Sequence, residues 1–214
     1  MKVLINICGV LAGMLLLTAS VCADLPPDLV QVRTEWAKIK YQMPQAKRAE
    51  AFEKLAQRAH LVSRANPNTA EPLIWEAIVL ASLAGEDGGL GALPKVKQAK
   101  KLLEQAEKIN PNTLDGSIYT SLGSLYYQVP GWPIGFGDDD KAKSYLQKAL
   151  NINPDGIDAN YFYGDFLMDQ GKYREAIAAF EKALKAPQRP DRPVADAGRR
   201  QEARDAIARA QAKL

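Results

Sequence analysis

Residues 158–186 read Asp-Ala-Asn-Tyr-Phe-Tyr-Gly-Asp-Phe-Leu-Met-Asp-Gln-Gly-Lys-Tyr-Arg-Glu-Ala-Ile-Ala-Ala-Phe-Glu-Lys-Ala-Leu-Lys-Ala. Tyr163, Gly164 and Leu167 fall on one face of a first helix. Gly171 stands where that helix stops, and Tyr173 opens the next. Ala176, Phe180 and Ala183 then recur at spacings of four and three, which is one face of a second helix. Gly164 and Ala176 are small enough for two antiparallel helices to approach closely.

The pattern returns upstream. Asn66-Pro67-Asn68-Thr69 becomes Asn110-Pro111-Asn112-Thr113 and then Asn153-Pro154-Asp155-Gly156. Proline ends one helix, and Thr, Asn or Asp caps the next. Trp75, Ile78, Val79 and Ser82 repeat the spacing of Tyr119, Leu122, Gly123 and Tyr126, and of Asn160, Tyr163, Gly164 and Leu167. Ala99, Leu103 and Ala106 match Ala142, Leu146 and Ala149, then Ala176, Phe180 and Ala183. The stretch 158–186 resembles a tetratricopeptide repeat (TPR), whose consensus carries Leu-Gly, Tyr, Ala, Phe and Ala in this order. The resemblance implies an all-α, TPR-like solenoid of helical hairpins, a right-handed superhelix with flanking capping helices. Such a scaffold carries its function on its surface.

The expected organisation follows. Residues 1–23 read as a cleaved signal: Lys2, an apolar run from Val3 to Leu17, then Val21 and Ala23 as the small residues before the cut. This implies a periplasmic protein with no transmembrane helix in its mature form. The alternative is lipid anchoring through Cys22. Cys8 and Cys22 are the only cysteines, so residues 24–214 contain none. That excludes a disulfide framework, a thiolate zinc site and a thiol nucleophile. Removing Lys2 leaves 27 basic against 25 acidic residues, a balance that gives no reason to expect nucleic acid as a partner.

Residues 24–68 form a degenerate helical pair, with Leu29, Val32, Trp36 and Ile39 facing inward before Pro44, and Phe52, Leu55, Ala59 and Val62 after it. Three repeats follow, at 69–112, 113–155 and 156–188. Residues 189–214 are a stiff, basic, proline-rich connector leading into a C-terminal capping helix. Its packing side is Ala197, Ala203, Ile207 and Ala210. Arg199, Arg200, Arg204 and Arg209 are expected on its solvated face.

The first two repeats carry extra residues between their helices. Gly85–Pro94 and Val129–Asp138 combine glycine and proline with large apolar side chains, so both are read as loops. They either pack on each other or wall a ligand pocket, with Trp132, Ile134 and Phe136 as the candidate pocket residues. Asp138, Asp139 and Asp140 are the cap and first turn of a helix rather than a metal site, because the spaced ligands of a calcium loop are absent. The segment 129–150 is similar to part of the T-component proteins of TRAP transporters, through Pro130, Phe136-Gly137-Asp138, Lys141-Ala142-Lys143 and Ala149-Leu150. That resemblance implies TPR helices around a ligand-accessible channel, a small-molecule ligand, a substrate-binding partner subunit and a lipid anchor. The Ala19-Ser20-Val21 sequence before Cys22 departs from the anchor pattern.

No phosphate loop or dinucleotide fingerprint occurs, and no cofactor is expected. His60, the single histidine, has no marked catalytic partners in the sequence. The chain therefore reads as a non-catalytic scaffold for a protein or peptide partner. The TPR consensus places Glu76, Leu80 and Leu83, then Thr120, Ser124 and Tyr127, then Asp158, Tyr161, Asp165 and Asp169 along one concave strip. The strip would run from apolar to acidic, and its acidic end would favour a cationic peptide or amine.

Overall fold

The computed structural model describes residues 25–214. The expected leader, with Cys22, lies outside the described residues. The helices are α1 (Pro27–Gln42), α2 (Arg48–Ala65), α3 (Ala70–Asp87), α4 (Gly89–Ile109), α5 (Ser117–Gln128), α6 (Asp139–Ile152), α7 (Ile157–Asp169), α8 (Tyr173–Lys185) and α9 (Pro193–Gln211). They pair as hairpins α1–α2, α3–α4, α5–α6 and α7–α8 and stack into an all-α, TPR-like solenoid capped by α9.

Two of the four hairpins, α5–α6 and α7–α8, close where a glycine lets the two helices approach. Gly164 on α7 faces the ring of Phe180 on α8, and Gly123 on α5 faces Leu146 on α6. Leu103, Leu146 and Phe180 are fully buried, as are the alanines that flank them in α4, α6 and α8. Burying one such large side chain stabilises the fold by about 1.5–3 kcal/mol. The turns between hairpins hold by backbone bonds: the Asn110 and Asn153 N–H groups donate to Ala106 and Ala149 carbonyls. Gly171 turns α7 into α8 with φ of 69°, in the left-handed region that favours glycine.

The two inserted stretches behave differently from each other. The first is not a loop. Helix α3 continues to Asp87, Gly88 and Gly89 turn the chain with φ of 64° and 55°, and α4 begins at Gly89 and runs through Pro94. The extra residues lengthen both helices, because the Gly88-Gly89 pair suffices to reverse the chain. The second is a loop, Val129–Asp138, containing a cis peptide bond at Trp132–Pro133. Phe136 turns inward onto Tyr126, and Leu93 of α4 packs on the same core cluster. Trp132 points away and is 90% exposed. Asp138 caps α6 by accepting a bond from the Lys141 N–H at 3.0 Å.

The solenoid does not stay open. The odd-numbered helices form an inner layer in which α1 touches α3, α3 touches α5, α5 touches α7, α7 touches α9, and α9 returns to α1. The even-numbered helices pack outside them. At the seam Tyr41 donates its hydroxyl to Glu202 Oε2 at 3.1 Å, and Ala195 joins the cluster around Trp36 and Trp75. The expected face of α9 is therefore turned. Ala197 is exposed, whereas Ala195 and Ala206 are buried with Ala203 and Ala210. Arg199 is buried and Arg200 partly so, while Arg204 and Arg209 stay in solvent. The cause is that α9 has helices on two sides, α8 behind and α1 ahead, so it needs more than one packing face.

Candidate functional site

The five inner helices enclose a groove of about 1100 Å³. Its wall takes Arg33 and Trp36 from α1, and Trp75, Ile78 and Ser82 from α3. Thr120 and Ser124 come from α5, and Asp158, Tyr161 and Asp165 from α7. Arg199 of α9 and Arg189 and Arg192 of the connector complete it.

The strip expected from the sequence is placed only in part. Thr120, Ser124, Asp158, Tyr161 and Asp165 line the groove. Asp169 is exposed beyond its end, beside Gln170. Tyr127 lies behind the wall: its hydroxyl donates to Asp165 Oδ2 at 2.6 Å, and its ring packs edge-on to Phe166. On α3 the phase differs by one residue, which is roughly 100° around a helix. Trp75, Ile78 and Ser82 face the groove, and Leu80 and Leu83 are core. Glu76 is 2% exposed and points the other way, between α2 and α4. It accepts bonds from Ser63 Oγ and from Gln98 Nε2 at 3.4 Å, and His60 Nδ1 stands 2.9 Å from its Oε1. His60 thus belongs to a polar cluster on the outer layer, away from the groove. The packing of Trp75 on Trp36 sets this phase, with ring centroids 5.9 Å apart. A TPR consensus cannot supply that contact, because α1 is not a standard repeat helix.

Among the pocket candidates of the second insertion, Ile134 borders the groove, Phe136 packs half-buried against the core beneath it and Trp132 reaches neither. Leu90 of the lengthened α4 also borders the groove and is 79% exposed.

The acidic end expected on α7 is occupied by arginines. Arg199 Nε donates to Asp158 Oδ1 at 2.9 Å, and Arg189 Nη1 donates to Asp158 Oδ2 at 2.8 Å. Arg199 Nη1 reaches Glu202 Oε2 at 2.6 Å, and its guanidinium lies over the rings of Tyr161 and Phe162. Arg189 also donates to Asp196, whose carboxylate takes the Arg189 backbone N–H at 2.9 Å. Burial by itself would raise the Asp158 carboxyl, but Arg199, Arg189 and Arg192 together hold it well below the usual carboxylate range. Burial pushes the Tyr161 phenol up to about 12 despite Arg199. The connector and α9, which the sequence presents as a solvated cap, supply much of the groove's charge. Three arginines at 189, 192 and 199 are the available signal. Their interleaving with Asp191, Asp196 and Glu202 conceals it.

Not every donor here is engaged. The indole Nε1 of Trp75, the Nε of Arg33 and the Nε of Arg192 are buried without a hydrogen-bond partner among the described residues. Trp36, by contrast, donates its indole N–H to Ser82 Oγ at 2.8 Å. A buried donor left unpaired costs about 1–3 kcal/mol, so three in one region are unusual.

Among the described residues no helix is long and apolar enough to cross a membrane, and no cluster of His, Cys, Asp or Glu has the makeup of a metal site. Residues 134–197 match the tetratricopeptide repeat family. No curated protein matches the chain. Among solved structures it is similar to MamA, at 22% identity over 81% of this chain and 95% of that one, with a TM-score of 0.45. It is similar also to a thermophilic TPR protein of Thermus thermophilus, TTC0263, at 17% identity over 86% of this chain and 99% of that one, with a TM-score of 0.45.

Proposed function

From the premise that residues 134–197 belong to the tetratricopeptide-repeat family, we propose that this chain is an interaction scaffold that holds a segment of a protein partner in its inner groove. The observation that carries the reading is the groove itself. It is lined by all five inner helices, with the half-buried Ile78 and Phe162 beside hydroxyls and fixed charges. Aromatic side chains give a peptide contact area, and the polar groups set its orientation. The scaffold works without catalysis. It acts in the periplasm after removal of residues 1–23, a step that the small residues Val21 and Ala23 support.

Site-specific photo-crosslinking in the native cell tests this. A photoreactive residue at Ser124, inside the groove, is expected to trap one discrete partner, and the same residue at Lys148 on the outer layer to trap none. Adducts independent of position would overturn the reading. Intact mass of the protein from the cell envelope fraction is expected to begin at Asp24. A chain starting at Met1 in the cytosol would overturn the export assignment.

A second reading has its own support. The ring closes on itself, and about 1100 Å³ is slightly more than the roughly 300–1,000 Å³ typical of small-molecule sites. Under it the groove carries a small molecule for a transport system. Ile134 and Leu90 then form the mouth, and Trp132 takes no part. Native mass spectrometry separates the two: a small retained mass favours the carrier, a polypeptide favours the scaffold.

A further inference from the structure

We infer that the corner of the groove formed by Trp75, Arg33 and Arg192 is a recognition site for a carboxylate, supplied by the C-terminus of a bound peptide or by a free organic acid. This deepens the groove-binding reading and rests on it only for the peptide source.

The inference begins from the local charge count. Arg33 pairs with Asp191 at 2.7 Å. Around α9 a continuous set of ion pairs joins Lys40, Arg189, Arg192, Arg199 and Arg200 to Asp158, Asp196 and Glu202. Six cationic side chains thus face four carboxylates. Both oxygens of Asp158 are already taken at short range by Arg199 and Arg189, and Arg192 reaches that carboxylate only at 3.9 Å. Arg192 and Lys40, each paired only at 3.9 Å, are the loosely compensated cations, and Arg192 is the one beside Trp75 and Arg33. Burial, with Arg189 and Arg33 beside it, pulls the Arg192 guanidinium below its ordinary pKa.

Donor geometry points to the same corner. Arg192 lies over the ring of Trp75, 5.2 Å from its centroid. Trp75 is 2% exposed, and its indole N–H has no partner among the described residues. The Nε atoms of Arg33 and Arg192 are in the same condition. All three side chains line the groove. What such a set lacks is an acceptor carrying negative charge. A carboxylate supplies it, since its two oxygens accept several N–H bonds and match a guanidinium edge. An amine or ammonium ligand offers donors where donors already crowd, so the cationic peptide expected from the sequence is the wrong charge for this corner. The aliphatic or aromatic body of the ligand would lie along Ile78 and Trp36.

The test is two-dimensional ¹⁵N–¹H NMR of the Trp75 indole, distinguished from the other two indoles by Trp36→Phe and Trp132→Phe. The probes are hexanoate against hexanamide, and a hexapeptide pool with free C-termini against the same pool amidated. The Trp75 indole proton is expected to move with hexanoate or the free-acid pool and to stay with their amides. Arg192→Gln is expected to weaken the effective probe at least tenfold while the spectrum stays dispersed. Whichever acid acts at the lower concentration identifies the source. A Trp75 indole unmoved by both acids, or moved equally by the amides, overturns the inference. Backbone amides of Ser124 and Asp165 report groove occupancy separately. If they shift with either peptide pool and Trp75 does not discriminate, the carboxylate corner falls and the peptide groove stands. If hexanoate moves Trp75 and no pool moves Ser124 or Asp165, the corner stands with a free acid and the peptide groove falls.

Discussion

Gly198 of α9 lies against the phenol ring of Tyr41 of α1, so closely that a Cβ on Gly198 would sit 2.2 Å from the ring. This contact joins the last helix to the first and turns a stack into a ring. Glycine costs a helix interior roughly 0.5–1 kcal/mol relative to alanine, so its use here reflects the approach of Tyr41. Gly198→Val is expected to destabilise the fold by about 1–3 kcal/mol through overpacking and to part α9 from α1. Urea unfolding reads the first effect, and a larger radius of gyration by small-angle scattering reads the second. An unchanged radius would mean that α9 holds its place without this seam.

The hairpin glycines make the opposite of the usual helix prediction. In an exposed helix Gly→Ala stabilises by about 1 kcal/mol. At Gly164 a Cβ would stand 2.8 Å from the Phe180 ring, and at Gly123 it would stand 2.6 Å from Leu146 Cγ. Gly164→Ala and Gly123→Ala are each expected to lower stability by about 1–3 kcal/mol, measured by thermal or urea unfolding. A second substitution, Phe180→Leu, is expected to recover part of the loss at Gly164 and none at Gly123. Stabilisation by either alanine would show that the hairpins have room to relax.

The hairpins and their stacking are legible in the sequence because they rest on local spacing. Gly164 with Phe180 and Gly123 with Leu146 are each set within a single repeat, and the three Asn-Pro turns join neighbouring hairpins over a few residues. The ring closure is not legible. It depends on Tyr41 meeting Gly198 and on Arg33 meeting Asp191, pairs far apart in the chain that no periodicity connects. The site divides in the same way. Ser124, Tyr161 and Asp165 follow from repeat phase, but Glu76 does not, because the Trp36–Trp75 contact fixes the rotation of α3. Arg192 and Arg199 read as solvated, since a cap of an open stack has nothing beyond it.

Glu76 illustrates a residue whose charge serves the fold. It is buried with Ser63, His60 and Gln98 around its carboxylate, on the side of α3 away from the groove. Glu76→Ala strands these partners and is expected to cost about 1–3 kcal/mol, read by urea unfolding. Groove occupancy, read by the amide shifts of Ser124 and Asp165, is expected to be unchanged in the folded variant. A selective loss of binding with full stability would return Glu76 to the recognition strip.

Asp158 ties α7 to the connector and α9, and its depressed acidity gives that tie a pH signature. Its carboxyl is held well below the ordinary value by Arg199, Arg189 and Arg192 against the opposing effect of burial. A group whose folded pKa is lowered adds stability above its unfolded pKa, about 3.9 for aspartate, and loses that stability as pH falls toward the folded value. Asp158→Asn keeps the shape and removes the charge, leaving Arg199 and Arg189 facing an amide. Breaking a fully buried pair costs about 3–5 kcal/mol, and the 28% exposure of the Asp158 side chain reduces this to about 2 kcal/mol. The gap in unfolding free energy between wild type and variant is expected to be full at pH 7 and to narrow steadily below pH of about 4, where only the wild type loses this contribution. Urea unfolding at pH 7 and again at the lowest pH where the protein remains folded measures it. A gap that stays constant across that range would mean that the charge of Asp158 contributes nothing to holding α9.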